Sequence, residues 1–231
     1  MCATRCYRAR EYLRRPGRIC GHGERVPKED PALAEFWERR FRENFTPWDA
    51  GRVPEALAHF LRAETRALRV LIPGCGSGYE VRAFAEAGHD VIAIDFAPAA
   101  VERSQRTLGP LSDRVRLADF FEFDFGAPFD LIYERAFLCA LPRREWPRYA
   151  PRAAELLRSG GRLAGFFFFD DGERGPPFGL KHGELESLLR ERFDLAADST
   201  VGDSIPIFAG KERWQVWKKR GPESPSPLPG T

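Results

Sequence analysis

A glycine-rich loop followed by an acidic residue is the feature of this sequence best suited to chemistry. The loop reads Pro73-Gly74-Cys75-Gly76-Ser77-Gly78 and follows an apolar run, residues 68–72, that is typical of a buried strand. Glycines let the backbone turn sharply and approach a ligand closely, and open α/β sheets bind ligands at the carboxyl ends of their strands. Asp95 ends the next predicted strand, where its carboxylate can accept both hydrogen bonds of a ribose diol. The sequence therefore predicts a nucleoside site formed by Gly74, Gly76, Gly78 and Asp95.

Tyr79 helps to separate two classes of cofactor. A dinucleotide-binding loop reads G-x-G-x-x-G, and its third glycine permits close packing of helix on strand. Here Tyr79 takes that place, and the third glycine comes one residue earlier at Gly78. A phenol ring would crowd a pyrophosphate at the helix start, whereas S-adenosylmethionine has none and needs only backbone groups for its amino-acid end. The pattern favours S-adenosylmethionine over NAD, with a tight turn of no function as the structural alternative.

Asp119 and Phe120 follow the third predicted strand, residues 115–118. In methyltransferases that use S-adenosylmethionine, a polar group at this place meets the adenine amine, and an apolar neighbour lies against the ring. The alternative is an aspartate that merely ends a strand with a turn. The order of the glycine loop, Asp95 and Asp119 along the chain favours the adenine-binding role.

Strand-like and helix-like segments alternate along the chain. The predicted strands are residues 68–72, 90–94, 115–118, 129–133, 162–168, 193–197 and 213–218. The predicted helices are residues 32–41, 54–61, 79–87, one that opens at Pro98, 144–157 and 182–192, and Gly160-Gly161 is the predicted turn ending the fifth. This alternation predicts an α/β protein with a Rossmann-like, doubly wound, mostly parallel seven-stranded sheet and an antiparallel carboxyl-terminal strand.

The length of 231 residues suits one domain with tails. Residues 1–30 carry eight basic against four acidic side chains and lack periodic apolar residues. We therefore expect a flexible Arg-rich leader at 1–30, a single methyltransferase domain at 31–220 and a disordered tail at 221–231, which is rich in Pro, Ser and Gly. The leader could instead be a transit peptide or an over-extended reading frame.

Charge and cysteine usage argue against several partners. The net charge is +2, and the basic leader leaves the rest slightly acidic, whereas nucleic acid needs a basic stripe. No apolar run is long enough to span a membrane. The chain has no CxxC pair, and Cys2, Cys6, Cys20 and His22 match no common zinc spacing. We predict a cytoplasmic monomer with a small-molecule acceptor and with no metal, nucleic acid or membrane partner.

Five short motifs occur in order along the chain. They are Phe36-Trp37-x7-Phe45-Thr46-Pro47-Trp48-Asp49-x-Gly51, Ile72-Pro73-Gly74-Cys75-Gly76, Phe129-Asp130-Leu131-Ile132-Tyr133-Glu134-Arg135, Cys139-Ala140-Leu141-Pro142 and Gly175-Pro176-Pro177-Phe178. Together they resemble the thiopurine S-methyltransferase family from about Glu35 to Lys219. The resemblance implies transfer of a methyl group from S-adenosylmethionine to the sulfur of a small thiol or thiopurine-like acceptor.

The same resemblance implies roles for three further residues. Trp37 would lie against the cofactor, Trp48 would help to form a lid over its methionine end, and Arg135 would lie near both the sulfonium and the acceptor. An arginine there would favour a thiolate, because a permanent positive charge lowers a thiol pKa. The family usually has Asp before this Arg, where this chain has Glu134. The alternatives are a surface ion pair of Arg135 with Glu134, and core anchoring by the two tryptophans.

No Ser-His-Asp set is evident, and His59, His89 and His182 fit surface positions. A thiol is already partly ionised at neutral pH, so the implied methyl transfer, a displacement by the sulfur of the acceptor, needs no strong base. Ile205-Pro206-x4-Lys211-Glu212-Arg213-Trp214 also resembles plant-type halide and thiol methyltransferases. Halide, sulfide, selenium and tellurium species therefore remain alternative acceptors. A small NAD-dependent oxidoreductase and a non-catalytic S-adenosylmethionine-binding protein are more distant alternatives.

Overall fold

Aliphatic and β-branched segments form the strands of one sheet. The computed structural model describes residues 30–221, so the predicted leader, apart from Asp30, and the tail, apart from Gly221, lie outside the described residues. The strands are β1 (Arg69–Pro73), β2 (Asp90–Asp95), β3 (Val115–Leu117), β4 (Phe129–Arg135), β5 (Leu157–Phe168), β6 (Phe193–Thr200) and β7 (Glu212–Lys219).

The sheet has the predicted topology. Its strand order is β3-β2-β1-β4-β5-β7-β6, and β1 to β5 pair in parallel. Strand β7 runs antiparallel to both of its neighbours, β5 and β6. The order reverses between β1 and β4, and this reversal opens a crevice at the carboxyl ends of the strands. The prediction of a Rossmann-like, mostly parallel seven-stranded sheet is confirmed.

Helices cover both faces of the sheet. They are α1 (Ala34–Arg42), α2 (Glu55–Ala63), α3 (Tyr79–Glu86), α4 (Pro98–Leu108), α5 (Trp146–Leu156) and α6 (Glu184–Leu189). Along β1, Leu71 belongs to a core cluster shared with α5 and α6, while Val70 and Ile72 belong to a second cluster shared with α2, α3 and α4. Successive strand residues face opposite sides, so a continuous apolar run supplies two cores. In the part of the chain that the structure describes, no helix is both long and apolar enough to cross a bilayer.

The predicted turn at Gly160-Gly161 is wrong. Helix α5 ends at Leu156, and both glycines lie inside β5. Pairing between β4 and β5 shifts register between Phe129 and Leu131, and Gly160 has a φ of +69°. The glycines therefore accommodate an irregularity in a longer strand, a position in which glycine is common.

The prediction that His89 lies at the surface is also wrong, although His59 and His182 are exposed as expected. His89 is buried, its Nδ1 accepts a hydrogen bond of 3.1 Å from the Leu68 N–H, and its ring lies 5.7 Å from that of Phe84. Burial lowers the pKa of His89, which keeps the imidazole neutral. The residue fixes the start of β1 and lies away from the carboxyl edge of the sheet.

Two glycines with similar backbone angles offer a test of packing between α3 and α4. Gly78 (φ +82°) precedes α3, and a Cβ there would overlap Ser104 Oγ and lie 3.2 Å from Leu108; Gly88 (φ +85°) has open space around it. Each change to Ala should cost about 1 kcal/mol for left-handed strain. Gly78→Ala should cost roughly 1–3 kcal/mol more through overpacking. Urea unfolding of both variants measures the difference, and equal losses would contradict the packing role.

Candidate active site

A cavity of about 220 Å³ lies at the carboxyl ends of β1, β2 and β4. Loops that follow these strands and β3 form its floor, and the segment around α1 covers one side. The structure brings together all but one of the residues predicted for the site. Those that line the cavity are Trp37, Trp48, Gly74, Gly76, Asp95, Asp119, Phe120 and Arg135.

The glycine loop has a backbone that few other residues could adopt. Gly74 and Gly76 have φ angles of +60° and +52°. A Cβ at Gly74 would lie 2.8 Å from the ring of Phe137, so the loop surface stays bare there. Gly78 does not line the cavity; it precedes α3 and packs against α4. The loop thus presents backbone groups of Gly74 and Gly76 to the cavity.

Asp95 is buried beneath the glycine loop. Its Oδ2 accepts a hydrogen bond of 3.2 Å from the Gly76 N–H, and its Oδ1 accepts one of 3.1 Å from the Ala97 N–H. Burial raises the pKa of Asp95 to about 6, although these N–H donors oppose the shift. A carboxylate oxygen has two lone pairs, so both oxygens can still accept from a ligand. The geometry is compatible with the predicted contact with a ribose diol.

Asp119 makes a turn interaction and also lines the cavity. Its Oδ1 accepts a hydrogen bond of 2.7 Å from the Phe121 N–H, which is the turn interaction. Its Oδ2 has no hydrogen-bond partner within residues 30–221, and the residue lines the cavity. Phe120 is buried beside it and packs at ring distances of 5.1 Å from Phe137 and 5.9 Å from Tyr149. One carboxylate oxygen therefore remains for a ligand above an aromatic floor.

Two tryptophans form an aromatic wall. The Trp37 ring is buried, and its Nε1 donates a hydrogen bond of 2.8 Å to the Pro31 carbonyl. The Trp48 ring packs edge-on against Trp37 at 5.4 Å and against Phe41 at 6.0 Å. Trp37 is buried in the core, Trp48 is partly buried against it, and both line the cavity.

Segment 46–52, which carries Trp48, is attached to the domain by polar contacts that sequence reasoning missed. Asp49 accepts a hydrogen bond from the Ser77 hydroxyl in the glycine loop. Arg52 forms an ion pair of 2.6 Å with Asp203, in the connection between β6 and β7. Each contact joins parts distant in sequence, so no local pattern indicates it. Together they hold the segment across the cavity.

Arg135 pairs with Glu80 and not with Glu134. Its Nη1 donates a hydrogen bond of 2.8 Å to Glu80 Oε1, and the two side chains are 12% and 13% exposed. Within residues 30–221 this is the one hydrogen bond of the guanidinium, whose Cζ atom also lies 5.4 Å from the centroid of the Phe166 ring. Burial opposes the charge, but Glu80 and other neighbouring acids outweigh it and raise the Arg135 pKa. The cavity therefore contains a permanent cation with unused N–H donors.

Glu134 has a different role, so the alternative of a surface ion pair is wrong. It is buried, and its Oε1 accepts hydrogen bonds from the N–H groups of Phe137 (2.9 Å) and Leu138 (3.0 Å). Adjacent residues of β4 face opposite sides of the sheet, which separates this carboxylate from Arg135. Burial raises the Glu134 pKa to about 7, despite the two N–H donors. The residue organises the turn after β4.

Sequence reasoning also missed Tyr133 and Glu80. Tyr133 is buried, lines the cavity and has a hydroxyl without a partner in the described residues. It lies two positions before Arg135 in β4, so strand periodicity could have placed both on one face. Glu80 lies in the first turn of α3, directly after the glycine loop, and only its position there could have drawn attention to it.

Comparison with known proteins adds a family to this geometry. The family model described as Thiopurine S-methyltransferase (TPMT) matches residues 32–220. The chain belongs to the thiopurine S-methyltransferase family. It is therefore an S-adenosylmethionine-dependent S-methyltransferase, and the predicted family, enzyme class and cofactor are confirmed. This assignment favours methyl transfer over the NAD-dependent oxidoreductase considered from the loop.

The similar proteins include plant and bacterial members. A probable thiol methyltransferase 2 of Arabidopsis thaliana is 34% identical over 79% of this chain and 84% of that protein. A thiopurine S-methyltransferase of Aliivibrio salmonicida is 32% identical over 79% and 97%, and thiocyanate methyltransferase 1 of Brassica oleracea is 31% identical over 85% and 91%. Among solved structures, a Burkholderia thailandensis 1,6-didemethyltoxoflavin-N1-methyltransferase superposes with a TM-score of 0.65 at 24% identity, over 82% of this chain and 88% of that chain, which shows the shared fold.

The raised pKa of Glu134 generates a prediction for stability. The folded protein keeps a proton that the unfolded chain releases, so its free energy of unfolding should fall as the pH rises from about 4.5 to about 7. Glu134→Gln retains an oxygen acceptor but cannot ionise, so its curve should be shallower there. Urea unfolding of both proteins from about pH 5 to about pH 8 checks this. Asp95 adds a similar slope below about pH 6 in both proteins, so identical curves above about pH 6 would contradict the prediction.

Proposed function

We propose that this chain methylates the sulfur of a small thiol or thiopurine-like acceptor. The observation that carries the proposal is Arg135, a permanent cation with unused donors in the cavity that the glycine loop and Asp95 form. Such a cation stabilises an acceptor thiolate. The three curated relatives described above are named for thiol, thiopurine and thiocyanate acceptors, all of which contain sulfur.

The cavity residues fit S-adenosylmethionine, which supplies an electrophilic methyl group on a sulfonium. The bare backbone at Gly74 and Gly76 leaves room for its amino-acid end, and the Asp95 carboxylate accepts from its ribose. Asp119 Oδ2 accepts from the adenine amine while Phe120 packs against the ring. We assign its cofactor site to Trp37, Trp48, Gly74, Gly76, Asp95, Asp119, Phe120 and Arg135, with Gly78 supporting the loop from behind.

The chain itself contributes three things: it aligns the reactants, it excludes water from them, and it supplies the positive charge of Arg135. The tryptophan wall and segment 46–52 cover the cavity, which removes water from the reacting groups. Arg135 is the proposed catalytic residue: it lowers the pKa of the acceptor thiol, whose proton leaves to solvent, and holds the thiolate for an in-line displacement.

A second candidate acceptor class is small and inorganic: halide, sulfide, or selenium and tellurium species. An apolar cluster of Cys139, Phe168 and Phe208 packs with Trp48, Ile205 and Ile207 beside the cavity. The cluster meets the cavity at Trp48 and contains Ile205, which belongs to the motif that resembles plant-type halide and thiol methyltransferases. Incubation with methyl-labelled S-adenosylmethionine and a panel of thiols, thiopurine, sulfide, iodide and selenite decides between the classes, and no labelled product would refute both.

We further propose a cytoplasmic monomer whose catalytic domain is residues 31–220. The slightly acidic charge outside residues 1–30 supports a small-molecule partner rather than nucleic acid, and no membrane partner is proposed. Sedimentation of the full chain tests the monomer, and transfer assays with and without added RNA or lipid vesicles test the partners.

Arg135→Ala should lower thiol turnover by about 10²-fold or more, the scale of removing one preorganised charge. The loss should become smaller at higher pH, because more of the free thiol is then ionised in solution and depends less on Arg135 for its ionisation. Arg135→Lys should recover little if the guanidinium makes a planar two-point contact. Turnover and cofactor dissociation constants of both variants from about pH 6 to about pH 9 check this. Unchanged thiol turnover in Arg135→Ala would leave Arg135 a structural partner of Glu80.

Asp95→Asn should weaken the binding of S-adenosylhomocysteine by about 1–3 kcal/mol, the scale of lost charge-assisted hydrogen bonds. Asn is preferable to Ala because an amide oxygen can still accept from Gly76 or Ala97, which limits damage to the loop. Wild-type affinity should fall as the pH drops through about 6, where Asp95 protonates, while the variant's affinity stays flat. Calorimetry at several pH values measures both effects, and a variant that binds like the wild type would refute the ribose contact.

A further inference from the structure

We propose that Glu80 determines which charge state of acceptor the site accepts. By neutralising Arg135, it favours an acceptor that binds as a protonated thiol over a permanent anion such as iodide or thiocyanate. Glu80 is then a specificity-determining residue that acts through Arg135. The inference rests on the proposed function and refines its substrate class.

The first support is the geometry of the pair. Glu80 and Arg135 both line the cavity, and the 2.8 Å ion pair between them is almost closed to solvent. Salt therefore screens it little, and the interaction is stronger than that of an exposed pair. Because Glu80 is the one hydrogen-bond partner of Arg135 among residues 30–221, the remaining guanidinium donors stay available to a ligand while the net charge of the pair is zero.

The second support is the charge on the other elements around Arg135. From β7, the buried Glu212 faces Arg135, and burial raises the pKa of this carboxyl. From β4, Tyr133 adds a neutral phenol, whereas Glu134 lies on the other side of the sheet. The guanidinium thus faces two acidic side chains, Glu80 and Glu212, and its ion pair with Glu80 compensates its positive charge. A fixed anion would lose its hydration here without a full counter-charge.

A protonated thiol meets no such penalty on binding. The thiol enters the cavity uncharged and forms only weak hydrogen bonds. It loses its proton only when it lies next to the guanidinium donors. Removing the charge of Glu80 should leave Arg135 without its ion-pair partner, so that its positive charge acts on the acceptor uncompensated. Two effects follow: permanent anions become better acceptors, and the pKa of a bound thiol falls.

The experiment compares wild type with Glu80→Gln in methyl transfer to iodide, thiocyanate and a small thiol. The ratio of kcat/KM for the anions to that for the thiol should rise at least about tenfold at neutral pH. The limb of the thiol pH–rate profile should move to lower pH by about one unit. Glu80→Asp keeps the charge and should retain wild-type selectivity.

Glu64→Gln is the matched control. Glu64 is 11% exposed and pairs with Arg162, and neither residue lines the cavity, so its removal should leave the acceptor ratio unchanged. Thiocyanate binding measured by calorimetry in the presence of S-adenosylhomocysteine gives a readout independent of turnover, and Glu80→Gln should tighten it.

The outcomes separate this inference from the proposed function. A wild type that methylates no acceptor refutes the proposed function, while thiocyanate calorimetry still tests the role of Glu80. An active wild type whose acceptor ratio is the same in Glu80→Gln overturns the inference alone. An equal loss for all acceptors, together with weakened binding of S-adenosylhomocysteine, would make Glu80 a cofactor ligand and overturn it too.

Discussion

One buried carboxylate, Asp95, joins the two loops on which the site depends. It accepts an N–H from the glycine loop after β1 and another from the turn after β2, so these adjacent strand ends form a single surface. Burying the charge is costly, as the pKa of about 6 shows, and the backbone donors offset only part of that cost. A carboxylate kept in this state gains most when a ligand supplies further donors. The ribose diol is such a ligand in the proposed cofactor site, where its binding would be coupled to the order of both loops.

The same trade of stability for function recurs around Arg135. Glu134 and Glu212 are buried carboxyls whose pKa values burial raises. Glu134 organises the turn that follows β4 and so fixes where the strand carrying Arg135 ends. In the proposed mechanism, acidic side chains near Arg135 weaken its attraction for anions and so make the site selective among acceptors.

Sequence periodicity predicted the sheet and the strand ends because each strand is a local pattern that packs in one way. Both Asp95 and Arg135 lie at the ends of predicted strands. The chemistry expected of the loop indicated Asp95, and the resemblance to a family indicated Arg135. Local patterns failed where a contact distant in sequence determines the position of a residue. His89 is buried, where it accepts a hydrogen bond from Leu68, and Gly160 lies in an irregular part of a strand. The partner of Arg135 was mistaken because Glu134 is its neighbour in sequence but faces the other side of β4.

The covering of the cavity depends on contacts that join the two ends of the domain. Segment 46–52 meets the β6–β7 connection through Arg52 and Asp203, whose side chains are 50% and 13% exposed. An ion pair with one partner this exposed contributes on the order of 0–1 kcal/mol. The hydrogen bond from Ser77 to Asp49 and the apolar contacts of Trp48 also hold segment 46–52 in place. None of these contacts is a backbone hydrogen bond of the sheet, so the segment can loosen without loss of strand pairing. In the proposed function, we expect acceptors to enter on this side of the cavity.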